Sequence, residues 1–273
     1  MEPSEKTENS QKKANKKNLR AKRKKQAQQR FFIIMVIIFA LGFLAGLFVG
    51  TRKESEIKFV MSSTDNVQTI QQKDTSVAEN LPWNLTLVNY EYPLEETFVP
   101  EKLAEVDNGY VADERIADAL KKMIADARST EDVRIIALSG YRDYEYQKEL
   151  FDNKVQRLQQ EKGYSVDKAR KEAATVVAVP GTSEHQLGLA LDLVDARHVK
   201  LDESQENTNA YKWLYKHCAE YGFIVRYPNG KTDITGIIYE PWHFRYVGVD
   251  AATIIMEKGI TLEEYLENYY NES

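Results

Sequence analysis

Four residues of this 273-residue chain have side chains suited to metal-assisted hydrolysis: His185, Asp192, Glu240 and His243. The chain has only four histidines, and two stand in unusual company. His185 lies in SEHQLGLALDL, just after the Pro180-Gly181 turn, and Asp192 follows between Leu191 and Leu193. A lone carboxylate in an apolar strand costs on the order of several kcal/mol unless it is paired, protonated or bound to a cation. His243 lies in EPWHFRY, flanked by bulky aromatics. Two histidines and one carboxylate make a three-ligand zinc set, with a fourth position open for water or substrate. Such a metal makes water nucleophilic near neutral pH and polarises a carbonyl. The water needs a proton acceptor, and Glu240 is the candidate. On a regular strand Glu240 and His243 would face opposite ways, but Pro241 disfavours a ladder there and puts Glu240 at a bend.

The competing reading is structural. Asp192 could pair with an arginine, and His185 and His243 could be ordinary polar residues near aromatics. No H-x-x-x-H helix or cysteine pair strengthens the metal reading. Arg245 shares a strand face with His243 and is a candidate partner for Asp192 or another nearby carboxylate. Tyr141, Tyr239 and Trp242 either line a cleft or pack in the core. His198 stands in the polar stretch DARHVKLDES and reads as a surface residue. His217 reads as a helix-surface or partly packed residue. Cys218 is the only cysteine, so no intrachain disulfide can form. Its apolar helical setting predicts a buried thiol rather than a nucleophile.

A mixed set of elements must position these groups. Ile116, Leu120, Met123, Ile124 and Ala127 recur at helical spacing after Asp113, a candidate cap. Val133 to Leu138 is a short β-branched strand, broken by Ser139-Gly140. A helix follows Asp143, with Leu150, Phe151, Lys154, Val155 and Leu158 near one face. Another is expected from Ser165 to Val177. LALDLV at 189–194 reads as a strand, with Leu189, Leu191 and Leu193 on one face and Ala190, Asp192 and Val194 on the other. Residues 208–221 read as a helix, and 223–227 and 242–248 as strands with a loop over 228–236. Thr261 and Glu264 form a capping box for the last helix. With no repeated βαβ series, the class is α+β, a small and mainly antiparallel sheet flanked by helices.

The net charge of −5 is uneven along the chain. Residues 1–30 hold 11 Lys/Arg and 3 Asp/Glu, residues 31–50 hold no charge, and the rest holds 26 Lys/Arg and 39 Asp/Glu. Phe31 to Gly50 is apolar throughout and long enough, as a helix, to span roughly 30 Å of hydrocarbon. The basic run before it predicts a cytoplasmic tail and an extracellular body. A cleaved signal peptide is the alternative, but the stretch exceeds a signal core of about 7–15 residues and no A-x-A site follows. The expected organisation is a basic tail (1–30), a transmembrane helix (31–50), a flexible polar stalk (51–80) and a catalytic domain (81–273). Within that domain, 81–100 reads as an extended arm. This excludes a simple cytosolic protein and full-length disorder. The acidic body argues against a nucleic-acid partner.

Ser183-x-His185-x-x-Gly188-x-Ala190-x-Asp192 resembles the first metal motif of the VanY-type D-alanyl-D-alanine carboxypeptidases, a zinc peptidase family with related L,D-carboxypeptidases. Glu240-Pro241-Trp242-His243 resembles the second. Ser139-Gly140-Tyr141-Arg142, followed by Gln147, resembles the substrate-binding segment. The resemblance covers residues 83–250. It implies His185, Asp192 and His243 as ligands of one catalytic Zn2+ and Glu240 as the base. It implies that Arg142 acts near the reacting centre or on the terminal carboxylate. Gln147 becomes a second polar contact, and Ser183 a hydroxyl that orients the substrate terminus. The implied fold is the compact α+β one shared with hedgehog-type domains.

The implied partner is the peptidoglycan stem peptide outside a Gram-positive or similar cell, with the bilayer held through 31–50 and a monomeric catalytic domain. Two specificities compete: cleavage of D-Ala-D-Ala, which is favoured, and removal of D-Ala from a tetrapeptide stem. A non-catalytic wall-binding module predicts a missing ligand or base, and none is missing.

Overall fold

The computed structural model describes residues 81–270. The tail, candidate span and stalk expected at 1–30, 31–50 and 51–80 lie outside the described residues. Among the described residues, no helix is long and apolar enough to cross a membrane.

Asn108 and Gly109 both take positive φ, 51° and 80°. They close a hairpin between β1 (Leu103–Asp107) and β2 (Tyr110–Asp113), a pairing that hydrophobic periodicity does not reveal. β2 runs into α1 (Glu114–Ser129), whose N-cap Asp113 accepts from the Arg115 backbone N–H, as expected. The periodic residues Ile116, Leu120, Met123, Ile124 and Ala127 are all buried.

Four strands make the central sheet: β3 (Ile135–Ser139), β4 (Ala190–Asp195), β5 (Phe223–Val225) and β6 (His243–Tyr246). Their spatial order is β3-β4-β6-β5, and every neighbouring pair is antiparallel. The α+β class with small antiparallel sheets flanked by helices is therefore as expected. The buried face of α1 packs with Ile135, Ala137, Leu191, Leu193, Phe223 and Phe244 from the sheet. Fully burying one such leucine stabilises by about 2 kcal/mol. Cys218 is sealed in the same core. All of β4 is buried, so its two faces differ in chemistry and not in exposure.

One wall of the molecule is α2 (Tyr144–Lys162) packed on α3 (Val166–Ala174) through Phe151, Val155, Ala169 and Ala173. α3 ends three residues short of the expected Val177. The helix expected over 208–221 is α4 (Asn209–His217), continued as a 3-10 turn to Tyr221. The expected 228–236 loop holds a one-turn helix, α5 (Thr232–Thr235). After β6 come α6 (Val249–Lys258), which the periodicity did not suggest, and α7 (Leu262–Asn268), with the expected Thr261–Glu264 capping box. The arm's Leu85 joins their apolar cluster, and its Trp83 stacks on Tyr246.

Candidate active site

Strand register sets the first contact. Asp192 on β4 stands directly opposite His243 on β6, so both side chains leave the same face of the sheet. His185 arrives on a run of tight turns before β4, in which Gln186, Leu187 and Gly188 donate to the carbonyls of Ser183, Glu184 and His185. Gly188 has φ +70°, and a Cβ there would lie 3.0 Å from the Asp113 nitrogen, so close backbone approach requires glycine. Gly140 is needed for space: a Cβ would lie 2.5 Å from the Val111 oxygen. That proximity lets the Gly140 carbonyl accept from His185 Nδ1 at 2.7 Å. A carbonyl only accepts, so Nδ1 carries the proton and Nε2 keeps its lone pair.

Three donor atoms then meet. His185 Nε2 lies 3.4 Å and His243 Nδ1 3.3 Å from Asp192 Oδ1. The donor atoms of the three residues all fall within 4.8 Å of one another. Two ligands each about 2.0 Å from a tetrahedral zinc are themselves about 3.3 Å apart. His185 Nε2 and Asp192 Oδ1 are buried without a hydrogen-bond partner, which a folded chain tolerates where an ion satisfies them. Donor type, spacing and orphaned atoms all fit Zn2+.

Glu240 joins this group through a turn. The His243 N–H donates to the Glu240 carbonyl at 3.2 Å, so the segment bends just before β6 begins. Both side chains thereby point one way, and Glu240 Oε2 lies 3.7 Å from His243 Nδ1. Burial is the largest influence on Glu240 and Asp192 adds to it; against His243 and Arg142, they push its carboxyl up to about 8. Burial, with Arg142, takes His185 down to about 4, leaving a neutral imidazole. Burial opposes charge on His243 too, but the carboxylates Asp192, Glu184 and Glu240 outweigh it and take that ring up to about 9. The pocket attracts a cation.

Glu184 is the principal residue that motif reading overlooked. It is fully buried, and its Oε1 accepts from Arg226 Nε and Arg245 NH1, each at 2.7 Å. Its Oε2 has no partner and lies 3.6 Å from His243 Nε2, itself unpartnered. A carboxylate on that side favours the proton on Nε2 and the lone pair on Nδ1. Burial would raise the Glu184 carboxyl, yet the two arginines hold it far below its ordinary value. Arg226 also grips Glu263 of α7 with both terminal nitrogens. Arg245 therefore pairs with Glu184 and with the carbonyls of Asn84 and Thr86, and not with Asp192. Tyr227, whose ring lies 4.8 Å from that of His243, was likewise unanticipated.

These groups open into a cavity of about 940 Å3. Arg142, Gln147, Ser183, Tyr141, Tyr239 and Trp242 all line it. The Arg142 backbone N–H donates to His185 O, and its Nε is buried without a partner. Gln147, in the first turn of α2, donates to the Ala178 carbonyl at 2.7 Å and leaves Oε1 unpartnered. His198 and His217 stand outside the cavity, beside Ser204 and Glu220. Tyr141 and Tyr239 are half-buried in its wall and Trp242 is almost fully buried there, while His198 and His217 are half-buried away from it.

Bare nitrogen and oxygen donors beside a protonatable carboxyl put the chain among metallohydrolases. The family model for VanY, D-alanyl-D-alanine carboxypeptidase, matches residues 110–249, and the chain belongs to that family. It is 46% identical over 185 residues to a D-alanyl-D-alanine carboxypeptidase of Enterococcus faecalis (strain ATCC 700802 / V583), covering 67% of this chain and 66% of that protein. The crystal structure of the vancomycin resistance D,D-pentapeptidase VanY with Zn(II) is 44% identical, with a TM-score of 0.60, covering 68% of this chain and 99% of that one. The LdcB LD-carboxypeptidase is 39% identical with a TM-score of 0.59, covering 68% and 87%.

Proposed function

We propose that this chain is a zinc carboxypeptidase that removes the terminal D-Ala from peptidoglycan stem peptides ending in D-Ala-D-Ala. The observation that carries this is the convergence of His185 Nε2 and His243 Nδ1 on Asp192 Oδ1, each at about the spacing of two ligands on tetrahedral zinc, beside Glu240. These three residues hold Zn2+. The ion supplies Lewis acidity to the scissile carbonyl and to the attacking water. Glu240 takes the water's proton as the new C–O bond forms, then passes it to the leaving amine as the C–N bond breaks. A carboxyl held beside the metal ligands, in reach of the attacking water, can do both.

Arg142 offers its guanidinium to charge that develops on the carbonyl oxygen, or to the terminal carboxylate. Ser183 orients that terminus. Gln147 keeps an unpartnered Oε1, which suits a substrate N–H. Tyr141 and Trp242 shape the cleft around the last residues. Exopeptidase action follows from reading a free carboxylate end.

A second reading is L,D-carboxypeptidase activity on tetrapeptide stems, favoured by the nearly equal likeness to LdcB. Metal and base serve both, because neither reads the penultimate stereocentre. Mass spectrometry of the protein incubated with synthetic pentapeptide and tetrapeptide stems separates them. Loss of one alanine from the pentapeptide alone is expected; loss from the tetrapeptide alone replaces the first reading with the second.

The substrate's location supports a single-pass anchor at 31–50, with the N-terminus in the cytoplasm and the monomeric catalytic domain outside. Protease shaving of intact cells should digest the chain after Gly50, and protection there would reverse this topology.

A further inference from the structure

The cavity does not stop at the metal-ligand cluster. Gln147, Leu150, Lys154 and Arg157 recur at helical spacing along α2, and all four line it. At about 1.5 Å per residue, Lys154 lies about 10 Å and Arg157 about 15 Å beyond Gln147 along the helix. An enzyme that removes one residue needs only about one residue's length, some 3.3 Å, beyond the scissile bond. That length leaves room for the part of the peptide upstream of that bond, which rests on the carboxypeptidase reading above.

Lys154 and exposed Arg157 put two positive charges on this wall, while Asp202 and Glu203 line the cavity from another segment. Lys148 on the same helix pairs with Asp152 at 3.2 Å. Among the described residues, neither Lys154 nor Arg157 is hydrogen-bonded or ion-paired to a carboxylate. Lys154 is half-buried. Its ammonium is destabilised first by that burial and then by the Arg157 charge, with Glu161 opposing them. Two like charges on a cleft wall, one partly desolvated, gain from an anion between them. An extended peptide covers about 10 Å in three residues, comparable with the rise along α2 from Gln147, a substrate contact in that reading, to Lys154.

We propose that Lys154 and Arg157 form a subsite for a carboxylate carried by the substrate about three residues upstream of the scissile bond. In a stem pentapeptide this position falls on the second residue, a γ-linked glutamate whose α-carboxylate is either free or amidated. The subsite distinguishes these two forms.

The test uses the full chain and two synthetic stem pentapeptides that differ only in a free or an amidated α-carboxylate at the second residue. The wild type should favour the free acid by about tenfold in kcat/KM, mainly through KM, as one charge-assisted contact predicts. In the Lys154→Met/Arg157→Met double variant that ratio should fall to about one, and added salt should shrink it in the wild type. Equal use of both peptides by the wild type, or a preference that survives in the variant, overturns the subsite. If neither pentapeptide is cleaved, the D,D reading fails by itself. Fluorescence-anisotropy titration with labelled forms of the two peptides then decides the subsite: tighter free-acid binding that the variant loses supports it, and equal binding overturns it.

Discussion

Replacing Glu184 with Gln tests how the fold holds His243. The carboxylate is fully buried between two fully buried arginines, Arg226 and Arg245. Gln keeps the shape and one acceptor but removes the charge. Arg226 retains Glu263, and Arg245 retains the carbonyls of Asn84, Thr86 and Tyr246. Breaking a buried ion pair costs about 3–5 kcal/mol, and the surviving partners place this change at the low end, about 3 kcal/mol. A domain of this size loses about 2–4 °C in Tm per kcal/mol, so the melting temperature should fall by about 6–12 °C while the chain stays folded. His243 also loses the carboxylate that favours its Nε2–H tautomer, which should weaken zinc about 10–100-fold. Urea denaturation and zinc titration against a competing chelator read the two effects separately. Glu263→Gln, which removes a carboxylate farther from His243, should lower stability with a smaller effect on zinc. Wild-type stability and zinc affinity in Glu184→Gln would refute the reasoning.

Other expectations follow from the same geometry. Glu240→Ala should lower kcat by about 10²–10⁴-fold with zinc content unchanged, measured by stem-peptide turnover and elemental analysis. Turnover near the wild-type rate would remove Glu240 from its role. His185→Ala should abolish stoichiometric zinc in the purified protein. Burial pushes the Cys218 thiol up to about 12, so a thiol reagent at pH 8 should label it only as the protein unfolds. Rapid labelling of the native chain would contradict that burial. Burial opposes ionisation of Asp113, Glu184 and Glu263, but arginines outweigh it and hold all three below their ordinary values. Their stabilisation is complete above the unfolded-state value of about 4 and is lost as pH falls through the lower folded values. Unfolding free energy from urea titrations should therefore drop steeply below about pH 4.

Local pattern carried much of this molecule. The α1 face, its Asp113 cap and the Thr261–Glu264 box are legible because each depends on residues within one or two turns. His185, Asp192, Glu240 and His243 stand out because polar groups among apolar neighbours demand a reason. Asn108-Gly109 was also a local signal, a hairpin turn recognisable from its residue types, yet the short strands around it alternate too weakly to mark themselves. α6 begins from glycine with no side-chain cap, which removes the usual starting signal.

What stayed hidden depends on register and on distance along the chain. Nothing local says that Asp192 pairs across β4 and β6 with His243, or that a turn brings Glu240 round to the same side. Glu184 looked like a variable position inside a motif. Its role appears only when Arg226, just past β5, and Arg245 of β6 close on it. The strand face of Arg245 points to a carboxylate partner, but the choice of Glu184 over Asp192 depends on the fold.

We propose that His185, Asp192 and His243 hold the catalytic zinc. Anomalous diffraction at the zinc edge from zinc-loaded crystals tests it most directly. One strong peak should lie about 2.0 Å from His185 Nε2, Asp192 Oδ1 and His243 Nδ1, with Glu240 beside it but not bonded. A fully loaded crystal with its peak elsewhere, or with none at this cluster, would overturn this ligand assignment.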